Sequence, residues 1–294
     1  MTVSDLPAAA HPPIERILLA RGWRGMDRLA RHLPPDYCAR AARAAWDARA
    51  RVLLTTGFWV AGHPETDGPP GAFFLARGLA RAGAQVGFVA EDEALGMLDG
   101  LARAMWPAGV APPEFVPFPL LDAVASDAFA ANLAARRQPS LVVAVERCGR
   151  TAGGRYLNMR GGDITPHTAQ VDALLAAPAA ATIGIGDGGN EIGMGALAPV
   201  IAAELDMPAP CVTPVAHLVV ATVSNWGAYG LLAYLSRLAG ADLLPSAEES
   251  AAALQLLAGM GAIHGMTGRA EAMVDGFSPA DEAAVLAELR AAMG

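Results

Sequence analysis

Between Ala180 and Gly195 the chain runs through an apolar, β-branched stretch (Thr182-Ile-Gly-Ile185) into a glycine-rich turn, Gly186-Asp187-Gly188-Gly189-Asn190-Glu191. It leaves in a segment, Ile192 to Leu205, whose apolar positions recur at helical spacing. A strand, a tight turn and a helix N-terminus in succession restrict the chain to an α/β architecture, and such turns are where α/β proteins put their ligands. Gly184, Gly186 and Gly189 satisfy G-x-G-x-x-G, the dinucleotide signature, in the context it requires. The intervening residues argue against it. Asp187 in the turn and Glu191 in the predicted first helical turn would set carboxylates beside a pyrophosphate and cancel the benefit of a helix N-terminus. The turn suits a cation instead, either a divalent metal or the ammonium of an amino acid. The alternative, that the glycines only permit close packing and the acids only cap the helix, stays open.

The rest of the chain alternates regularly. Arg51 to Gly57 reads as a strand buried on both faces. It is followed by a helix from Ala72 to Arg81, a strand from Gln85 to Ala90 and a helix from Glu93 to Met105. Then come a strand from Glu114 to Phe118, a helix from Leu121 to Ala135, a strand from Ser140 to Glu146, a long glycine-rich loop over 147–166 and a helix from Thr168 to Leu175. Beyond the organising turn the pattern predicts a strand over Val215 to Val220 and helices over Asn225 to Leu238 and Ala247 to Gly259. A C-terminal helix is opened by the capping box Ser278-Pro-Ala-Asp281. Strands alternating with helices imply right-handed βαβ units. The expected fold is a three-layer α/β structure, a mostly parallel Rossmann-like sheet with helices on both faces. Residues 1–50, rich in arginine and alanine, form a small helical N-terminal extension, and 51–294 form the main domain.

Composition excludes several classes. With a net charge of -8, neither nucleic acid nor an anionic membrane is an expected partner. No apolar run approaches the ~18 residues of a membrane span. Met1 to Pro13 lacks the layout of a signal peptide, and Asp5 and Glu15 disfavour a transit peptide. Cys38, Cys148 and Cys211 are odd in number and far apart, so the expected compartment is the cytoplasm. The extension suits packing on the main body or on a neighbouring subunit, which leaves a homo-oligomer open. All 21 basic residues are arginine, and without lysine there is no Schiff-base, P-loop or kinase lysine. Any chemistry must run on carboxylates, arginines, backbone amides and, where one is bound, a metal.

The unusual polar segments fall in loops that follow the predicted strands. After the first comes Thr55-Thr56-Gly57-Phe58, then Glu65-Thr66-Asp67-Gly68-Pro69-Pro70-Gly71, where the Gly-Pro run stiffens the loop that presents Glu65 and Asp67. After the fourth comes Glu146-Arg147-Cys148, then Arg155-Tyr156-Leu157-Asn158-Met159-Arg160-Gly161-Gly162-Asp163. Arginine binds carboxylates at two points, so Arg155 and Arg160 are candidate clamps for an acidic substrate, though either could equally pair with surface acids. Ser224-Asn225-Trp226-Gly227-Ala-Tyr229 opens a later helix. Ile263-His264-Gly265 and Val274-Asp275-Gly276 are the last such segments, with His264 read as a packed loop histidine.

Together these motifs resemble the D-glutamate cyclase family over about residues 51–276. The most specific part is the twelve-residue stretch Gly184-Ile-Gly-Asp187-Gly-Gly-Asn190-Glu191-Ile-Gly-Met-Gly195. Cys148 stands where that pattern usually has proline, and Gly153-Gly154-Arg155 where an acid and a glycine usually precede the tyrosine. The resemblance implies a lyase that dehydrates D-glutamate, a small acidic amino acid, to 5-oxo-D-proline. On that reading Asp187 or Glu191 serves as base, and Asn190 is a further catalytic residue. Arg160, Arg155, Asn158, Ser224 and Asn225 hold the substrate, and the amides of Gly188 and Gly189 receive the oxyanion. No cofactor is fixed by these residues and a metal stays open: Glu65, Asp67, Asp187 and Glu191 would suit Mg²⁺ or Mn²⁺. A divalent-metal-dependent hydrolase or phosphatase acting on a small anion, and a nucleotide-binding protein, remain alternatives.

Overall fold

The computed structural model describes residues 11–22, 24–176 and 180–294. The sequence reading of the first ten residues lies outside them. Six strands form one parallel sheet: β1 (Arg51–Gly57), β4 (Gln85–Ala90), β5 (Glu114–Pro117), β6 (Leu141–Arg147), β7 (Ala181–Gly186) and β8 (His217–Val220). Two short strands, β2 (Trp59–Val60) and β3 (His63–Pro64), make a separate antiparallel ribbon. The sheet order is β5-β4-β1-β6-β7-β8. Its connectivity therefore reverses between β1 and β6, and at that reversal the loops leaving the two strands diverge and open a crevice.

Successive strand residues face opposite sides, and the core divides accordingly. Val52, Leu54, Val86, Phe88, Leu141, Val143 and Val145 pack on one face, while Leu53, Val89, Val142 and Ala144 pack on the other. The first face is covered by α3 (Tyr37–Asp47), α4 (Pro69–Arg81), α5 (Asp92–Met105) and α9 (Ser224–Ala239). The second is covered by α6 (Ala123–Arg137) and the single turn α7 (Asp172–Leu175). The result is the expected three-layer α/β arrangement. Helix α9 is buried almost all round because α1 (Pro13–Leu19) and α11 (Pro279–Met293) pack on it beside α3 and α4, with α10 (Ala247–Gly259) behind α11. Gly71 lets α4 cross its N-terminus closely; a Cβ there would lie 2.8 Å from Asn225 Oδ1.

The N-terminal helices share this core. Ile14 and Leu18 of α1 and Tyr37 of α3 are buried in it, the Tyr37 hydroxyl donates to the Val220 carbonyl at 2.7 Å, and Thr222 N–H donates to the Leu18 carbonyl at 2.8 Å.

One prediction needs correction. No helix begins at the glycine turn. Gly193 and Met194 bridge to Pro214, a 3₁₀ turn follows over Gly195–Leu197, and only Ala198–Glu204 is α-helical, as α8. Pairing with the 213–214 strand-like segment takes the backbone groups that a helix would have used, and Pro199 suits a helix start rather than its interior. Glu191 is therefore a loop residue.

Candidate active site

The carboxyl ends of β1, β6 and β7 converge on six buried carboxylates: Glu65, Asp67, Glu146, Asp187, Glu191 and Asp275. Each is held by a different local device. Asp67 caps α9 from outside, its Oδ1 accepting from Asn225 N–H and its Oδ2 from Ser224 N–H, both at 3.1 Å, so a carboxylate meets the positive end of that helix. Asn225 in turn accepts from the Gly68 and Gly71 amides, locking the loop after β1 against α9. Gly68 is at φ +95°, and a Cβ there would lie 2.7 Å from Glu146 Cβ.

Glu146 is the extra residue of a bulge. Thr56 pairs with Val145 and Gly57 with Arg147, so Glu146 is skipped, and it adopts φ 41°. The bulge turns its side chain into the crevice, where Ser224 Oγ donates to Oε2 at 2.5 Å. Asp275 is likewise at φ 47°. Left-handed backbone at two acids of one cluster is the kind of strain that folds retain at functional sites. Arg147, in the opposite direction, makes a buried bidentate pair with Glu91 at 2.8 and 2.6 Å and donates to the Thr56 and Ala169 carbonyls.

The glycine turn folds around its own acid. Glu191 Oε1 accepts from the amides of Asp187 (3.3 Å) and Gly188 (2.6 Å), and Oε2 from that of Gly189 (2.6 Å). The amides expected to receive an oxyanion, or a phosphate in the nucleotide alternative, thus hold an internal carboxylate. Asn190 is tied by its side-chain N–H to the Leu157 carbonyl, and its buried Oδ1 has no donor.

Sequence reading missed the cation of this cluster. Arg24, from the segment between α1 and α2 (Met26–Ala30), donates from one nitrogen to Asp187 Oδ1 at 2.7 Å and to Asp275 Oδ2 at 2.6 Å. Burial would weaken its charge, but Asp187 and Asp275 outweigh that and hold it firmly protonated. Glu146 was legible only as an acid ending an apolar strand, and Asp275 only as an acid beside a loop glycine.

The cluster's electrostatics follow from crowding in a dry site. Burial first, then neighbouring acids, push Glu65 and Glu146 well above the usual carboxyl range. Burial also raises Asp187, against the opposing pull of Arg24, and Glu191, against its three amides. Asp67 is pushed up to about 7 by burial and by Asp275. Asp187 Oδ2 is buried beside the Asp67 carboxyl with no N–H or O–H donor. Two carboxylates facing each other in this way share a proton or a cation.

A cavity of about 270 Å³ opens at this point, lined by Arg24, Phe58, Glu65, Glu146, Asn158 and Arg160 among others. That is the small end of ligand sites, about 300–1,000 Å³. Gly265 leaves room at its wall for the Glu65 carboxylate, which a Cβ there would displace. Arg160 stands at the rim and donates to the Met266 carbonyl at 3.1 Å, while the Asn158 side chain accepts from the Arg160 and Gly162 amides and shapes the loop. Arg155 is not among the lining residues. Its guanidinium lies 3.4 Å from Asp163 on the surface, so neither residue joins the cluster. Of the four acids grouped as metal ligands, Asp67 falls with Asp187 and Asp275, and Glu191 with Asp187 and Glu146, each trio having ligand atoms within 4.8 Å of one another. Glu65 belongs to neither trio. His264 accepts from the Gly276 amide through Nε2 at 2.7 Å, and burial lowers its pKa, so it braces the Asp275 loop as a neutral ring.

A parallel α/β sheet with buried acids, one arginine and a small cavity at its topological switch point defines a class of small-molecule enzyme-like sites. The chain belongs to the D-glutamate cyclase-like family: the model of that family's C-terminal region matches residues 14–290, a span that takes in the segment carrying Arg24. It is 32% identical over 226 residues to human mitochondrial D-glutamate cyclase, covering 71% of this chain and 36% of that protein, so it spans about a third of the relative's length. A solved short-chain oxidoreductase from Pseudomonas aeruginosa PAO1, titled as containing an atypical catalytic center, is 18% identical with a TM-score of 0.29, covering 64% of each chain. Among the described residues no helix is long and apolar enough to cross a membrane.

Proposed function

We propose that this chain is a carbon-oxygen lyase that cyclises D-glutamate to 5-oxo-D-proline with loss of water. The observation that carries the reading is that Glu65 and Glu146 line one cavity together with Arg160, in a chain of this family. Ring closure moves two protons from the substrate nitrogen to the departing oxygen, so the site needs a proton acceptor and a proton donor side by side. Glu146 accepts a hydrogen bond from Ser224, which favours its ionised form, and it takes a proton from the substrate ammonium. Among the described residues no hydrogen bond reaches the Glu65 carboxyl, and burial keeps it protonated, so it donates to the γ-carboxyl oxygen that leaves as water. Both carboxyls are raised by burial, and the Ser224 hydrogen bond is the contact that sets Glu146 apart and gives it the base role. Arg160 holds a substrate carboxylate by its fork, and holding both ends of one molecule supplies proximity. The cytoplasm is the proposed compartment, supported by three free, buried cysteines.

The test is incubation with D- and L-glutamate, with and without Mn²⁺ and EDTA, following lactam formation. Lactam from D-glutamate is the expected result, and none from either enantiomer in any condition overturns the reading.

A second reading rests on Asp187, whose Oδ2 has no donor and which belongs to both trios of oxygen ligands. All-oxygen donors fit Mg²⁺ or Mn²⁺. Asp67, Asp187 and Asp275, or Glu146, Asp187 and Glu191, would hold the ion, and it would supply Lewis-acid polarisation of a carboxyl or phosphoryl oxygen. Release of phosphate from a generic phosphate ester only with added Mn²⁺, and no lactam, would favour a metal-dependent hydrolase.

A further inference from the structure

Arg24 lines the cavity beside Glu65 and Glu146 and reaches it from a segment that precedes the α/β body in sequence. Among the described residues it is the only cation hydrogen-bonded into the six-acid cluster. Its place is fixed from both sides. One nitrogen is shared between Asp187 and Asp275, 163 and 251 residues away. The next residue, Gly25, turns at φ +82°, and a Cβ there would lie 2.5 Å from a Leu205 methyl, so the loop seats against the end of α8. The backbone amides of Gly188 and Gly189, the other candidates for stabilising negative charge, are occupied by Glu191.

We propose that Arg24 is a catalytic residue, the fixed cation that stabilises the oxyanion formed on the substrate's γ-carboxyl carbon as its amine adds. The proposal rests on the cyclisation reading above. In the addition step the N–C bond forms and the carbonyl π electrons move onto oxygen. When the intermediate collapses, the oxyanion's electron pair re-forms the C=O bond and the other C–O bond breaks. That second oxygen leaves as water with one proton from Glu65 and the one Glu146 took from the substrate nitrogen, while the nitrogen's second proton returns to Glu65; nothing is oxidised or reduced. A charge held rigid before the reaction needs no reorganisation as the oxyanion appears, and its benefit is confined to the transition state. Removing it lowers kcat and leaves KM in place, whereas removing a ground-state clamp such as Arg160 raises KM.

The experiment compares wild type, Arg24→Ala, Arg24→Lys and Arg160→Ala in the D-glutamate assay, with and without millimolar guanidinium chloride. Expected for Arg24→Ala is a kcat loss of about 10²-fold with KM nearly unchanged, partial recovery by guanidinium but not by sodium chloride, and an intermediate kcat for Arg24→Lys. If Arg24→Ala does not accumulate as folded protein, Arg24→Gln, which keeps a donor to the acids without the charge, is read in the same way. Near-wild-type kcat in the uncharged variant, a loss carried by KM, or no rescue by guanidinium overturns the role. A wild-type protein that forms no lactam overturns the reaction and this role with it, and is recognised before any variant is compared.

Discussion

The Ser224 hydroxyl donates to Glu146 Oε2 at 2.5 Å, joining the first turn of α9 to the bulge that ends β6. Burial, Glu191, Asp67 and Glu65 all push the Glu146 pKa up, and this hydrogen bond opposes them. Ser224→Ala removes the opposing contact and leaves a buried carboxylate short of a donor, which costs about 1–3 kcal/mol. A lower denaturation midpoint and a lower kcat are expected, the latter because the Glu146 pKa rises further and a smaller fraction of the base is ionised. Ser224→Thr restores both if its hydroxyl reaches Glu146. An Ser224→Ala protein with wild-type midpoint and wild-type turnover would remove Ser224 from any role at Glu146.

The acid cluster also sets the pH dependence of stability. Glu65, Glu146, Asp187 and Glu191 are raised in the folded chain, and Asp67 titrates at about 7, against ordinary values of 3.8 to 4.5. Between those ordinary values and about pH 7 the unfolded chain has released protons that the folded chain retains, so stability falls as pH rises through this window. Exposed acids such as Asp163, Asp281 and Glu288 are lowered by hydrogen bonds and act oppositely below the ordinary carboxyl range. His264 and His217, lowered by burial from 6.5, act oppositely below that value, two groups against the five raised acids. Urea unfolding at pH 5, 6, 7 and 8 should give a steadily decreasing free energy. A flat or rising series would mean that the cluster is already compensated.

Much of the fold was legible because its signals are local. The apolar run over Arg51–Gly57, the strand Gln85–Ala90, the helix Ala247–Gly259 and the Ser278–Asp281 capping box all stand where the pattern puts them. The helix expected over Ile192 to Leu205 shortened to Ala198–Glu204 because Gly193 and Met194 pair with Pro214, a partner no local window contains. The clustering of Glu65, Asp67, Asp187 and Glu191 was legible, as acids in glycine-containing loops after strands. Arg24 was not, since an arginine in an arginine-rich extension carries no mark of the two acids it will meet across the fold. Arg155 and Arg160 looked alike in sequence, and only the loop's path separates the one at the surface from the one at the cavity.

Glu191 is expected to matter more for the turn's shape than its neighbours do. Its two oxygens take three amide hydrogens, and hydrogen bonds to a charged acceptor are worth about 1.5–3 kcal/mol each. Glu191→Gln keeps an acceptor for Asp187 and Gly188 but points an N–H group at the Gly189 amide. A stability loss of about 2 kcal/mol is expected in guanidinium or urea melts, of the order of one charged hydrogen bond. Faster amide exchange should be confined to residues 187–189. Unchanged stability would mean that the turn holds its form through glycine packing alone.

Arg147 and Glu91 offer a test of how the crevice walls are held apart. Their bidentate contact, at 2.8 and 2.6 Å, is buried between the ends of β6 and β4, and the guanidinium also satisfies the carbonyls of Thr56 and Ala169. Removing one partner of such a pair strands the other charge in a dry interior, which costs about 3–5 kcal/mol. Arg147→Met should therefore unfold at markedly lower denaturant, with Glu91 left only the Ala169 amide. Replacing both partners by apolar residues removes the stranded charge, so Arg147→Met with Glu91→Leu should recover part of that loss, though not all, because the Thr56 and Ala169 carbonyls remain without their donor. The double-mutant cycle should give a coupling of about 1–3 kcal/mol, within the range for contacting residues. A double variant as unstable as the sum of the singles would show that the pair does not act as a unit, and would shift the role of Arg147 from its ion pair to the two carbonyls it serves.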